Sequence, residues 1–279
     1  MKRLSPVTRL ALLTATIAPL GANPARARVS LPVSPSVWQA VRSLPVPPVV
    51  HYPTHRVHSP LTPAVVKRIR GIRSLSARRN AHAFIKVGDS HTDTRFTLAC
   101  FASRRFDPAT LASRPGLDET RRWFKRRLRT GRTSFDRKSL ATRSGHSAGW
   151  ALSGGNHSPL IREIARVNPQ FALVAFGTND MQRHGSFARS LAPFLKKMEA
   201  LLRELEVRGI IPIVVGLPPR LDSTQAQRWA KVYNDALRRL AASQQIPFVD
   251  MHRALRHAPG FGLAPDGIHG SAYVWKRLQ

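Results

Sequence analysis

The chain has 279 residues, 42% of them apolar, which is enough for one sizeable α/β core or two small domains and argues against general disorder. Lys and Arg number 45 against 15 Asp and Glu, a formal charge of +30, so the surface attracts polyanions without that attraction conferring specificity. A lone cysteine, Cys100, excludes an intramolecular disulfide framework and a cysteine-rich zinc site; its place between Phe96 and Phe101 marks it as a small buried hydrophobe.

The first residues have the pattern of an export signal. Lys2, Arg3 and Arg9 precede the short apolar run Leu10–Leu20, and small residues follow, with cleavage expected after Ala22 or Ala27. Loss of residues 1–27 removes four basic residues and no acids, leaving +26. The run is too short to span a bilayer and no later run is longer, so the expected destination is the periplasm or the exterior, an uncleaved interfacial anchor being the alternative. Residues 28–64 carry eight prolines and no helical or strand period, and an extended tether is expected from 28 to 79. His51, His55 and His58 lie in it without a carboxylate or cysteine to complete a metal site.

From residue 80 the pattern changes. Ala81–Val87, Phe171–Phe176, Ile210–Leu217 and Ile246–Met251 are apolar runs of buried-strand length. Helical patterns cover Ser158–Val167, Ser186–Val207 and Thr224–Ala242, with Ser158-Pro159 as cap and first helical position and Asp222/Gln225 at capping-box spacing. Alternating strands and helices predict a three-layer α/β/α domain over 80–279 with a central parallel sheet. The basic stretch 121–129 is expected to turn Phe124 and Leu128, four apart, toward the core and its arginines toward solvent; the competing reading is an edge that grips anions.

In open α/β sheets reacting groups gather at the carboxyl ends of strands. That rule selects Gly88-Asp89-Ser90, Gly177-Thr178-Asn179-Asp180, and the late loop Asp266-Gly267-Ile268-His269. A serine hydroxyl needs an imidazole to take its proton, and the imidazole needs a carboxylate to fix its tautomer. Ser90, His269 and Asp266 supply those roles, and the Asn179 amide and the Ser90 N–H can donate to an oxyanion. Asp89 is expected to turn its loop, Asp180 to cap the helix or loop after the strand and border the substrate pocket, and His91 to line that pocket. Ser147, in Gly145-His146-Ser147-Ala148-Gly149, matches a G-x-S-x-G elbow, but the polar residues 137–144 before it do not form the strand an elbow requires. Ser147 is assigned instead to capping the segment that bears Gly145.

These three motifs, spread over residues 81–275, resemble blocks I, III and V of the SGNH/GDSL hydrolases. The resemblance implies a flavodoxin-like parallel sheet and cleavage of esters without metal or cofactor. It also implies a further oxyanion donor, the N–H of a block II glycine, matched best by Gly145 and next by Gly149. His91 stands where leucine is usual, a variant similar to the envelope-sugar O-acetylesterases. The chain runs only ten residues beyond His269, so the family's last helix is expected to be shortened or absent. The expected protein is an exported esterase acting on an acylated, possibly anionic, carbohydrate or envelope polymer. An O-acetyltransferase with the same site and an inactive polyanion-binding module are the alternatives; specific nucleic-acid binding has only charge to support it.

Overall fold

The computed structural model describes residues 56–93, 97–111 and 116–271. The expected export signal, the tether before residue 56 and the end of the chain after Ser271 lie outside them.

Four parallel strands form one sheet in the order β1-β2-β3-β4: β1 (Asn80–Gly88), β2 (Pro169–Ala175), β3 (Ile211–Val215) and β4 (Phe248–Val249). On the free side of β1 an isolated parallel bridge pairs Gly88 with Thr142, where the Gly88 N–H donates to Ala141 and the Arg143 N–H to Gly88. Counted as a vestigial strand, that segment gives the flavodoxin-like order 2-1-3-4-5, and the order reverses between β1 and β2. The strands are continuous apolar runs because both faces are covered; β3 is buried at every position.

The helices are α1 (Pro63–Ser74), α2 (Ser90–Asp93), α3 (Leu117–Phe124), α4 (Pro159–Val167), α5 (Phe187–Val207), α6 (Thr224–Ser243) and α7 (Met251–Leu255). Three of them lie within a residue of the sequence expectation because their caps are local chemistry. Ser158 and Ser186 accept the N–H groups of Ile161 and Arg189. The α6 cap is Ser223, which accepts from Ala226, so the Asp222/Gln225 box does not form; Asp222 is drawn off by Arg220, which grips both its oxygens at 2.6 and 2.7 Å.

The tether reading also yields. Within it, Thr62 caps α1 with Pro63 in the first turn, and α1 buries Ile69 and Ile72. Just before it, Val57 and Ser59 pair with β4 at Asp250 and Phe248. His58 forms an antiparallel bridge to Val249, while His51 and His55 fall outside the described residues. The basic stretch is reordered as well. α3 ends at Phe124, so Leu128 reaches the core from a turn rather than from the same helix face. Arg121 is buried, paired with Asp118 and stacked 4.9 Å over Phe106, not solvated. Cys100 is buried, and burial pushes its thiol up to about 11.

Candidate active site

The turn that bears Ser90 is fixed by close approach. At Gly88 a Cβ would stand 2.3 Å from the Ala175 carbonyl of β2, so only glycine lets β1 end against β2 and turn at once into α2. Asp89 is 1% exposed; its carboxylate accepts the His91 N–H at 3.1 Å, and its carbonyl accepts from Thr92 and Asp93. Burial raises its pKa to about 7, against the opposing backbone donors. Asp89 thus shapes the turn from below and Ser90 emerges at its top.

The late loop delivers the imidazole. Gly267 has φ +69, and a Cβ there would meet the Asp222 N at 2.7 Å; its carbonyl accepts from Leu221, while Ala264 donates to the His269 carbonyl. Asp266 closes the loop on itself. One oxygen accepts the N–H groups of Ile268 and His269 at 2.9 and 3.0 Å, and the other lies 2.6 Å from His269 Nδ1. The His269 hydrogen bond, more than the backbone bonds, holds the Asp266 carboxyl down at about 2. His269 Nε2 lies 3.0 Å from Ser90 Oγ. An alcohol, an imidazole and a carboxylate separated by 179 positions in sequence thus form one hydrogen-bonded chain at the carboxyl edge of the sheet.

Asn179 and Asp180 follow β2, after Gly177, whose φ of +136 and contact with Leu217 leave no room for a Cβ. Asn179 donates through Nδ2 to the His146 carbonyl at 3.3 Å. Asp180 is 4% exposed and accepts the Ala148 N–H, and burial raises its pKa to about 6. It fastens the 145–148 loop to the turn after β2. Asp93 holds the same loop from the other side, accepting from Ser144 N at 3.1 Å and Thr142 Oγ at 3.2 Å. Between these clamps Gly145 sits at φ +75, and Gly149 lies under the Lys197 side chain.

Ser147 is buried and occupies the N-cap position of a 3-10 turn, but its side chain makes no capping bond, contrary to expectation. Among the described residues just before it there is only the single-residue bridge at Thr142, not the buried strand that an elbow requires. The His91 ring is buried with Nε2 unpartnered and lies 5.5 Å from the His269 ring. Burial, then the neighbouring His269 and Arg220, lower its pKa to about 4, so it is a neutral flank to the His269 imidazole.

Three positioning residues escape sequence reasoning. Asp93 is one. Arg220, 4% exposed, bonds Asp222 and reaches the Thr178 carbonyl at 3.5 Å, tying the β3 loop to the Asn179 turn. Asn234 on α6 bonds both backbone groups of Leu217. Of these, only the Arg220-x-Asp222 spacing carries a signal in the sequence.

A doubly wound α/β sheet with Ser90, His269 and Asp266 linked in this way at its carboxyl edge has the geometry of a serine hydrolase. The profile of the GDSL-like lipase/acylhydrolase family matches residues 86–273, and the chain belongs to that family. It is 25% identical over 155 residues to the isoamyl acetate-hydrolyzing esterase of Saccharomyces cerevisiae, a match covering 47% of this chain and 61% of the yeast protein. Among solved structures it is similar to a catalytic mutant of an acetylxylan esterase from Geobacillus stearothermophilus, with a TM-score of 0.46, 15% identity, and coverage of 70% of this chain and 90% of that one. A mutant of a Geobacillus acetyl-xylooligosaccharide esterase gives 0.44 at 17% identity with the same coverages.

Proposed function

We propose that the protein is an exported serine esterase that removes acetyl or other short acyl groups from a carbohydrate or cell-envelope polymer. The observation that carries this reading is the bond chain from Ser90 Oγ through His269 to Asp266, at 3.0 and 2.6 Å. His269 Nε2 takes the Ser90 proton as Oγ attacks the ester carbonyl. Asp266 keeps the Nδ1 proton in place and stabilises the imidazolium. The Ser90 and Gly145 N–H groups and the Asn179 amide take the oxyanion, each such donor being worth about 10²–10³ in rate. One Asn179 N–H is directed at His146 and the amide carries a second. Collapse returns the proton from His269 to the departing alcohol. Water, deprotonated by the same ring, then splits the acyl-serine and releases the acid.

An acetyl group is favoured by the acetate ester that the yeast relative hydrolyses. A bulky alcohol is favoured by exposure: the His269 and Asp266 side chains are 48% and 47% accessible, an edge that a polymer can lie across. The basic, apolar N-terminal sequence supports export, and the charge of +30 supports an anionic polymer.

The test pairs p-nitrophenyl acetate turnover with labelling by a fluorophosphonate and mapping of the modified residue. Labelling at Ser90 and its loss in Ser90→Ala, but not in Ser147→Ala, is the expected result. Modification at Ser147, or turnover undiminished in Ser90→Ala, would remove the proposal.

A further inference from the structure

The amino ends of the strands, opposite the edge that carries Ser90 and His269, form a second surface. Helices α1 and α5 both finish there, and the segments that follow them touch. A Cβ on Gly209 would stand 2.7 Å from Ser76 Cβ, and Arg79 Nε donates to the Arg208 carbonyl at 2.9 Å. These segments lead directly into β1 and β3. The large apolar side chains that stand exposed among the described residues are Leu75 at 63%, Val207 at 60% and Leu221 at 40%. Leu221 lies in the loop after β3, on the opposite edge. Leu75 and Val207 flank the junction, one at the end of each helix.

The charge around that junction is one-sided. Residues 67–79 hold six cations and no acid, and residues 203–208 hold two cations and two acids. Both acids are engaged, Glu206 by Arg68 at 2.5 Å and Glu204 by Arg208 at 2.7 Å. Lys67, Arg70, Arg73, Arg78 and Arg203 are exposed and have no acidic partner among the described residues. Eight cations against two acids leave an excess of six. The C-terminal ends of α1 and α5 each bring about half a negative charge, which removes only about one of the six. The face is therefore strongly basic, with two aliphatic side chains standing out of it.

We infer that this face rests on the surface of an anionic lipid bilayer. A cation close to such a surface is worth about fivefold in partitioning, and side chains such as Leu75 and Val207 gain by entering the boundary between headgroups and acyl chains. A polyanion in water would use the cations and leave both apolar side chains wet. A second copy of the chain would bring like charges together. Ser90 and His269 stand at the carboxyl ends of the same strands, so a bilayer at the amino ends leaves them open on the far side. The inference stands independently of the ester chemistry.

The experiment is co-sedimentation of the full chain with vesicles at about 0.15 M ionic strength, where exposed charges are screened beyond about 8 Å. The vesicles are phosphatidylcholine alone and phosphatidylcholine mixed with phosphatidylglycerol. Wild type is compared with Arg70→Ser/Arg73→Ser, with Leu75→Ser/Val207→Ser, and with Arg183→Ser/Arg256→Ser. The last removes the same charge as the first from exposed positions beyond the carboxyl ends of β2 and β4. Wild type should prefer the anionic vesicles by about tenfold or more. The Arg70/Arg73 variant should lose about tenfold or more of that partitioning and the Leu75/Val207 variant about threefold or more, with the Arg183/Arg256 variant within about twofold of wild type. Melting temperatures within about 2 °C of wild type verify that each variant is folded. Equal loss in the Arg70/Arg73 and Arg183/Arg256 variants would reduce the effect to net charge and overturn the inference. Full retention by the Leu75/Val207 variant would mark a soluble polyanion as the partner and overturn it too. So would equal partitioning of all four proteins, or no preference for anionic lipid.

Discussion

Replacing Asp266 by asparagine isolates the tautomer argument. The carboxylate accepts three hydrogen bonds: from Ile268 N, from His269 N, and from His269 Nδ1 at 2.6 Å. Asparagine retains the shape and one oxygen for the two backbone donors, so the loop stays closed. Its NH₂, however, now faces Nδ1. The ring answers by carrying its proton on Nε2, 3.0 Å from Ser90 Oγ, where a lone pair is needed. In a buried triad this exchange costs about 10⁴ in kcat, or about 5.5 kcal/mol. Here the two side chains are 47% and 48% accessible, so water solvates the imidazolium in place of the lost charge and softens the penalty. We place the loss at about 10²–10³ in kcat, or about 3–4 kcal/mol of barrier, with KM unchanged. Steady-state kinetics on p-nitrophenyl acetate measure it, and thermal melting within about 2 °C of wild type verifies the fold. A kcat within about fivefold of wild type would refute the assignment of Asp266.

Packing and burial set three further expectations. Gly88→Ala drives a methyl to 2.3 Å from the Ala175 carbonyl and should lower unfolding free energy by about 1–3 kcal/mol in urea titration; an unchanged midpoint would contradict the contact. Glu163→Gln strands the Arg137 guanidinium, which is 4% exposed, and should cost about 3–5 kcal/mol by the same measurement, with a loss under about 1 kcal/mol as the contrary outcome. Asp89 carries a folded-state pKa raised from 3.8 to about 7, so its contribution to stability is complete below about pH 4 and is lost as pH rises through 7. Asp89→Asn keeps the bond from His91 and cannot ionise. Its melting temperature should therefore gain on wild type between pH 5 and pH 8, by about 3 °C or more; parallel curves would sink the account.

The features legible in the sequence are local ones. The caps Ser158 and Ser186 and the apolar runs of β1 to β3 carry their own signals, so α4, α5 and the sheet are readable almost residue by residue. The three turns bearing Ser90, Asn179 and His269 are readable because strand ends are where chemistry sits. The hidden features depend on partners distant in sequence. α1 opens among prolines and is held by burial of Ile69 and Ile72, which no periodicity announces. Asp222 has the spacing of a cap but a stronger competitor two residues earlier in Arg220. Arg121 reads as solvated because its ring partner Phe106 lies fifteen residues upstream. Nothing near Asp180 in the sequence announces the backbone amide it serves, that of Ala148, 32 positions away.

The hydrogen bonds of Val57 and Ser59 to the last strand give the stretch ahead of α1 a protective duty. β4 is only two residues long and would otherwise end the sheet with bare amides and carbonyls, an invitation for another molecule to add a strand. A protein trimmed to begin at residue 80 would keep Ser90, Asp266 and His269 yet lose this selvedge. It would be prone to stick to its own kind before it lost its chemistry.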